Sequence, residues 1–176
     1  MLFTIISILV ISILGTSLHF FYELSGHNKV VGLFAAVNES TWEHIKIALT
    51  PAFLWSIVDA FIYGSYQNYF LAKLISLLII ILVIPILFYS YKYLLKKESL
   101  VINILIFYIS IILSQVSFIK VINLNPVNNT IKYLSCFGIF ILFGCYMIFT
   151  LMPIKNFIFK DPITQKYGFK GHTENK

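Results

Sequence analysis

The chain is built from long apolar runs separated by short polar breaks. Apolar stretches cover residues 2–24, 41–63, 70–89, 100–119 and 133–152. Each is close to the roughly 20 residues that a helix needs to cross a bilayer's hydrocarbon core. The breaks carry turn chemistry. Ser25-Gly26 supplies a helix stop, with Gly26 suited to a left-handed position just past the helix. Gly64 to Asn68 is a short polar turn, Tyr91 to Glu98 a Lys-rich loop, and Asn123 to Asn129 a cluster of turn residues. Pro153 ends the last run. Pro51 lies inside the second run and is expected to kink it. Residues 27–37 join the first two runs; their Val30–Val37 part is apolar but too short to cross, so it lies in the interface or dips back into the membrane.

The pattern predicts an all-α, polytopic transmembrane helical bundle of about five spans. One transmembrane domain covers residues 1–152, followed by a polar, Lys-rich C-terminal tail over 153–176. No internal repeat is present. The first run could be a cleaved signal peptide, but no basic residue precedes it and it continues past Gly15-Thr16-Ser17 to Phe20-Phe21-Tyr22. It is therefore read as a retained span.

Composition agrees with the pattern. Apolar residues make up 59% of the chain and charged residues 11%, and the mean hydropathy is +0.89. A soluble domain of this size could not bury so much apolar surface. All thirteen basic residues are Lys, the net charge is +6, and Arg is absent. Phosphate readers favour Arg forks and clustered basic faces, so nucleic acid is excluded as a partner. Anionic lipid headgroups suit these scattered Lys better. With five spans, ten Lys fall on the face of the first and third loops and the tail, against Lys73, Lys120 and Lys132 on the other. The positive-inside bias then places the N-terminus outside and the C-terminus in the cytoplasm of a cell that holds the protein in its plasma membrane. Asp59 and the scattered Tyr read as interfacial residues. Cys136 and Cys145 are nine residues apart, about 13 Å along one helix, and cannot bridge. The sequons at Asn38 and Asn128 are chance matches, one cytoplasmic and one in a loop close to the membrane.

Candidate chemistry concentrates in Asn38-Glu39-Ser40-Thr41-Trp42-Glu43-His44-Ile45-Lys46, at the mouth of the second span. His19 and Glu23 lie four apart near the end of the first span, at matching depth. Antiparallel packing would gather His19, Glu23, Glu39, Glu43 and Lys46. On a helix that already includes Glu39, that residue, Glu43, Lys46 and Thr50 share one face; His44 points about 100° away, toward another neighbour. Such a stripe should face helices rather than lipid. Three Glu then oppose one Lys, so a divalent cation or bound protons would balance the cluster. His19, Glu23 and Glu43 are the candidate metal ligands; the same groups could relay protons. A structural reading stands beside this one. Ser40-Thr41-Trp42-Glu43 spells a capping box, Trp42 suits an interfacial anchor, and Lys46 could snorkel while pairing with Glu43 or Glu39.

The stretches His19-Phe20-Phe21-Tyr22-Glu23-Leu24-Ser25-Gly26 and Leu33 through Lys46, with Phe159 to Gly168 in the tail, resemble an uncharacterised family of small bacterial multi-pass membrane proteins. The Asn-Glu-Ser-x-Trp-Glu-His-x-Lys spelling is specific. That family has Pro where this chain has Ala36, which loosens the expected loop. The resemblance implies no activity.

Three functions fit the sequence. One is a membrane-embedded, metal-dependent hydrolase acting on a lipid or polyprenyl substrate; no His-Glu-x-x-His motif supports it. Another is a small ion-coupled transporter or channel, which five spans would require to assemble as a homo-oligomer. The third is a structural membrane subunit without a catalytic site.

Overall fold

The structure is a computed structural model in which residues 2–172 are described. Five long helices form the bundle: α1 (Leu2–Leu24), α3 (Thr41–Tyr63), α4 (Tyr69–Leu95), α5 (Leu100–Ile122) and α6 (Asn129–Leu151). All five are long and apolar enough to cross a membrane. A single-turn helix α2 (Lys29–Gly32) lies between α1 and α3. The all-α bundle expected from the hydropathy pattern is thus observed, and with its apolar outer surface it is a multi-pass membrane protein.

Helix α4 packs most extensively on α5, and α3 packs on α1 and α4. Pro51 sits inside α3 without ending it. Having no N–H, it leaves the Ile47 carbonyl four residues earlier without a helical donor. Helix α1 approaches that carbonyl at Gly15, where an added Cβ would lie 2.7 Å from Ile47 O and 2.7 Å from the Phe107 ring. Glycine is required there because two backbones meet. At the end of α1, Gly26 takes φ +65° and turns the chain, as its sequence position suggests.

On the face holding the α3–α4 and α5–α6 turns, Asn68 fastens the connections. Its amide donates to the carbonyls of Val121, Leu124 and Asn125, and its carbonyl accepts from Val127 N–H at 2.9 Å. Nearby, Asp59 and Lys73 are fully buried and paired. This corrects the interfacial reading of Asp59. The two residues flank the short α3–α4 turn at equal depth, so the turn itself brings them together. Lys73 also lies 4.7 Å over the Phe118 ring, which ties α3, α4 and α5 at one point.

On the opposite face the chain after α6 folds back onto the bundle. Phe159 is buried and stacks on Trp42 with ring centroids 4.9 Å apart. Trp42 is itself buried, so it is a docking surface for this segment and not a lipid-facing anchor. Its backbone N–H, one of the first orphan donors of α3, reaches the Ile158 carbonyl at 2.9 Å. Asn38 Nδ2 donates to the Gly168 carbonyl at 2.9 Å.

Candidate functional site

Helix α3 starts at Thr41, with Ser40 as its N-cap in extended conformation. Glu39 is therefore outside the helix and off the stripe of Glu43, Lys46 and Thr50. The polar stretch divides into two groups with different surroundings.

The first group is buried. Lys46 Nζ lies 2.5 Å from Glu43 Oε2 and donates to the Gly32 carbonyl at 2.8 Å. Glu43 Oε2 also accepts the Val37 N–H at 3.0 Å. The Tyr146 hydroxyl of α6 donates to the Leu33 carbonyl at 3.0 Å. Thr50 Oγ1 lies 2.5 Å from that hydroxyl and 2.9 Å from the Phe34 carbonyl. The segment from Leu33 to Val37, just after α2, is irregular backbone, much of it buried. Polar backbone at such depth persists only where protein groups satisfy it. Lys46, Glu43, Thr50 and Tyr146 do so. The expected capping box does not form: Glu43 passes over its own N-cap to reach Val37. Nor does Glu43 join His19 and Glu23 as a metal ligand; its charge is taken up by Lys46.

The second group faces a cavity. His19 Nε2 lies 3.6 Å from Glu39 Oε1, and His44 Nε2 lies 3.8 Å from Glu39 Oε2. The His44 Nδ1 lies 3.0 Å from the Ser40 carbonyl. A carbonyl only accepts, so Nδ1 carries the proton and Nε2 is the nitrogen turned toward Glu39. Asp161, from the segment after α6, holds Glu39 in place by accepting its N–H at 3.0 Å. Asp161 is itself held by the Thr164 N–H and hydroxyl, at 2.5 and 2.6 Å. Glu23 is exposed and borders, with His19, Glu39 and His172, a small adjoining recess. Among the described residues, no three His, Cys, Asp or Glu side chains are gathered as a metal ion requires.

The cavity has a volume of about 490 Å³, within the roughly 300–1,000 Å³ range of small-molecule sites. His19, Glu39, Thr41 and His44 line one side of it, and Ile84, Phe88, Ile106 and Phe107 of α4 and α5 form an apolar part. The segment after α6 adds Phe157, Lys160 and Asp161. Sequence reasoning placed His19, Glu39 and His44 among its candidates but did not find Asp161, Tyr146 or the cavity's far wall. The Asp161–Glu39 and Tyr146–Leu33 contacts join residues more than 100 positions apart, the far wall comes from helices with no local link to the polar stretch, and the one local hint was the Asp161-Pro162-Ile163-Thr164 turn.

No curated protein and no solved structure matches the chain. The model of one family, described as a family of unknown function (DUF6512), matches residues 2–169. With nearly its whole length matched, and the two polar groups lying within that match, the chain belongs to this family of unknown function.

Proposed function

We propose that this integral membrane protein performs acid–base chemistry, in its simplest form hydrolysis, on an amphipathic molecule drawn from the bilayer. The site is the cavity wall formed by His19, Glu39 and His44. The observation that carries the reading is the contact of His44 Nδ1 with the Ser40 carbonyl at 3.0 Å. With Nδ1–H committed to the Ser40 carbonyl, a neutral His44 aims a lone pair at a carboxylate, two acceptors facing each other at 3.8 Å. That gap is too long for a direct hydrogen bond, and it leaves both atoms to be approached by a water from the cavity side. His44 Nε2 can take a proton from such a water as its oxygen bonds to a substrate carbonyl, then return the proton to the leaving group. Glu39 and His19 orient the water and stabilise the imidazolium. His19, Glu39 and His44 are not gathered as a metal site requires, so a zinc-type cation would have to draw them together.

The orientation follows from the Lys distribution. Lys46 and Lys73 are buried in ion pairs, so neither belongs in a count of loop charge. Nine Lys remain on the cavity's face, counting Lys176 outside the described residues, against Lys120 and Lys132 on the other. This supports a cytoplasmic cavity and C-terminus, with the loop and tail Lys near anionic headgroups.

A structural role is favoured by a separate observation for Glu43 and Lys46 alone, since both are consumed in holding the loop. The test is to reconstitute wild type and His44→Ala with a total lipid extract of the expression host and follow released products by mass spectrometry, with and without EDTA. A product formed by wild type and lost in His44→Ala, at unchanged melting temperature, supports the reading. Loss with EDTA as well assigns the cation. Identical product profiles overturn the proposal.

A further inference from the structure

We infer that the cavity takes a single-chain amphiphile with an anionic headgroup, its chain lying between α4 and α5 and its head beside Lys160. This rests on the acid–base reading of the same cavity and names the class of molecule it would act on.

The first argument is the division of the lining. Ile84, Phe88, Ile106 and Phe107 lie on two packed helices, while His19, Glu39 and His44 sit together on another part of the wall, and the Lys92–Glu98 pair lies beside Phe88 at the α4–α5 end. A wholly polar ligand would leave the apolar part wet. A wholly apolar one would leave His19, Glu39 and His44 stripped of water with nothing in exchange, which is costly. An amphiphile satisfies both parts. The rim carries Leu100, Phe157 and Ile163, all large, apolar and exposed. Exposed apolar side chains at this end of the bundle suit contact with lipid, which would open the mouth to the source of the chain. The volume of about 490 Å³ suits one chain and a small head rather than a two-chain phospholipid.

The second argument is charge. Two of the three carboxylates on the wall are engaged: Glu98 pairs with Lys92, and Asp161 accepts from the Glu39 and Thr164 N–H groups and the Thr164 hydroxyl. The third, Glu39, faces His19 and His44. Lys160 also lines the cavity and has no ion-pair partner among the described residues. Asn103 accepts from the Tyr91 hydroxyl, which leaves its amide N–H₂ as a donor on the same wall. Lys160 and the Asn103 amide are thus the part of the wall that suits a carboxylate or phosphate head, which would sit beside them and not beside Glu39.

The test uses protein in phosphatidylcholine nanodiscs and measures saturable binding, above that of empty discs, of palmitate, 1-palmitoyl lysophosphatidate and neutral dodecyl glucoside. At least one of the anions is expected to bind with measurable affinity, and which of them does so distinguishes a fatty acid from a lysophospholipid source. Leu100→Trp, at an exposed rim position that the fold does not depend on, is expected to weaken binding by about tenfold or more. Lys160→Gln is expected to weaken the anions severalfold and leave the glucoside unchanged. Absence of saturable binding by both anions, or equal affinity in Leu100→Trp, overturns the inference; dodecyl glucoside binding as tightly as the anions overturns the anionic head. Failed binding with the His44-dependent product intact would remove the ligand class alone. Intact binding without that product would remove the hydrolytic reading alone.

Discussion

Replacing Lys46 by Met tests the buried half of the polar stretch. The Lys46 and Glu43 side chains are 0% and 3% exposed and 2.5 Å apart. Removing the ammonium leaves Glu43 with the Val37 N–H as its remaining partner and takes the donor from the Gly32 carbonyl. Breaking a buried pair from one side costs about 3–5 kcal/mol, because the surviving charge stays buried without compensation. For a chain of this size each kcal/mol shifts the melting temperature by about 2–4 °C, so Lys46→Met should melt roughly 6–20 °C lower. Glu43→Gln should fall by a similar amount. The double variant, with no charge left to bury, should recover much of the loss and give a coupling energy of about 2 kcal/mol or more. Circular-dichroism melts of the four proteins in one detergent measure this. Single variants within about 1 kcal/mol of wild type, or losses that simply add, would refute the reasoning.

Three further outcomes are expected. Gly15→Val should destabilise the protein by about 1–3 kcal/mol or more, since its Cβ would meet the Ile47 carbonyl and the Phe107 ring at 2.7 Å; a melting temperature equal to wild type would mean that α1 does not approach α3 so closely. Lys73→Met should lower stability about as much as Lys46→Met, because Asp59 would be left charged at 0% exposure, and Asp59→Asn/Lys73→Met should restore part of it in the same melting assay. Reporter fusions at residues 96 and 127 should report opposite compartments, the first cytoplasmic; the same compartment for both would overturn the five-span orientation.

The helices were legible because a bilayer demands length and apolarity, and both are written locally in the chain. The polar stretch was legible as a place, but its internal pairing was not. The shared stripe assumed that the helix included Glu39. Ser40 instead caps α3, and one residue of register sends Glu39 to His19 and His44 while Glu43 turns to Lys46. Matched depth was argued for α1 and α3 and not for the turn after α3, where the same reasoning pairs Asp59 with Lys73. In the sequence those two residues read one at a time, Asp59 as an interfacial acid and Lys73 as one of the Lys on the outer face. The folded-back segment was hidden for another reason. Its anchors, Phe159 on Trp42 and Asp161 on Glu39, join distant parts of the chain, and no periodicity records such contacts.

Neighbouring acids in one stretch do different work, Glu43 holding the fold and Glu39 facing the cavity. Side-by-side melts of Glu43→Gln and Glu39→Gln test this most directly. Glu39 has a half-exposed side chain, and exposed pairs contribute about 0–1 kcal/mol, so Glu39→Gln should melt within a few degrees of wild type. Glu43→Gln should lose about 3–5 kcal/mol. Equal losses in the two variants, or the reverse order, would contradict the division.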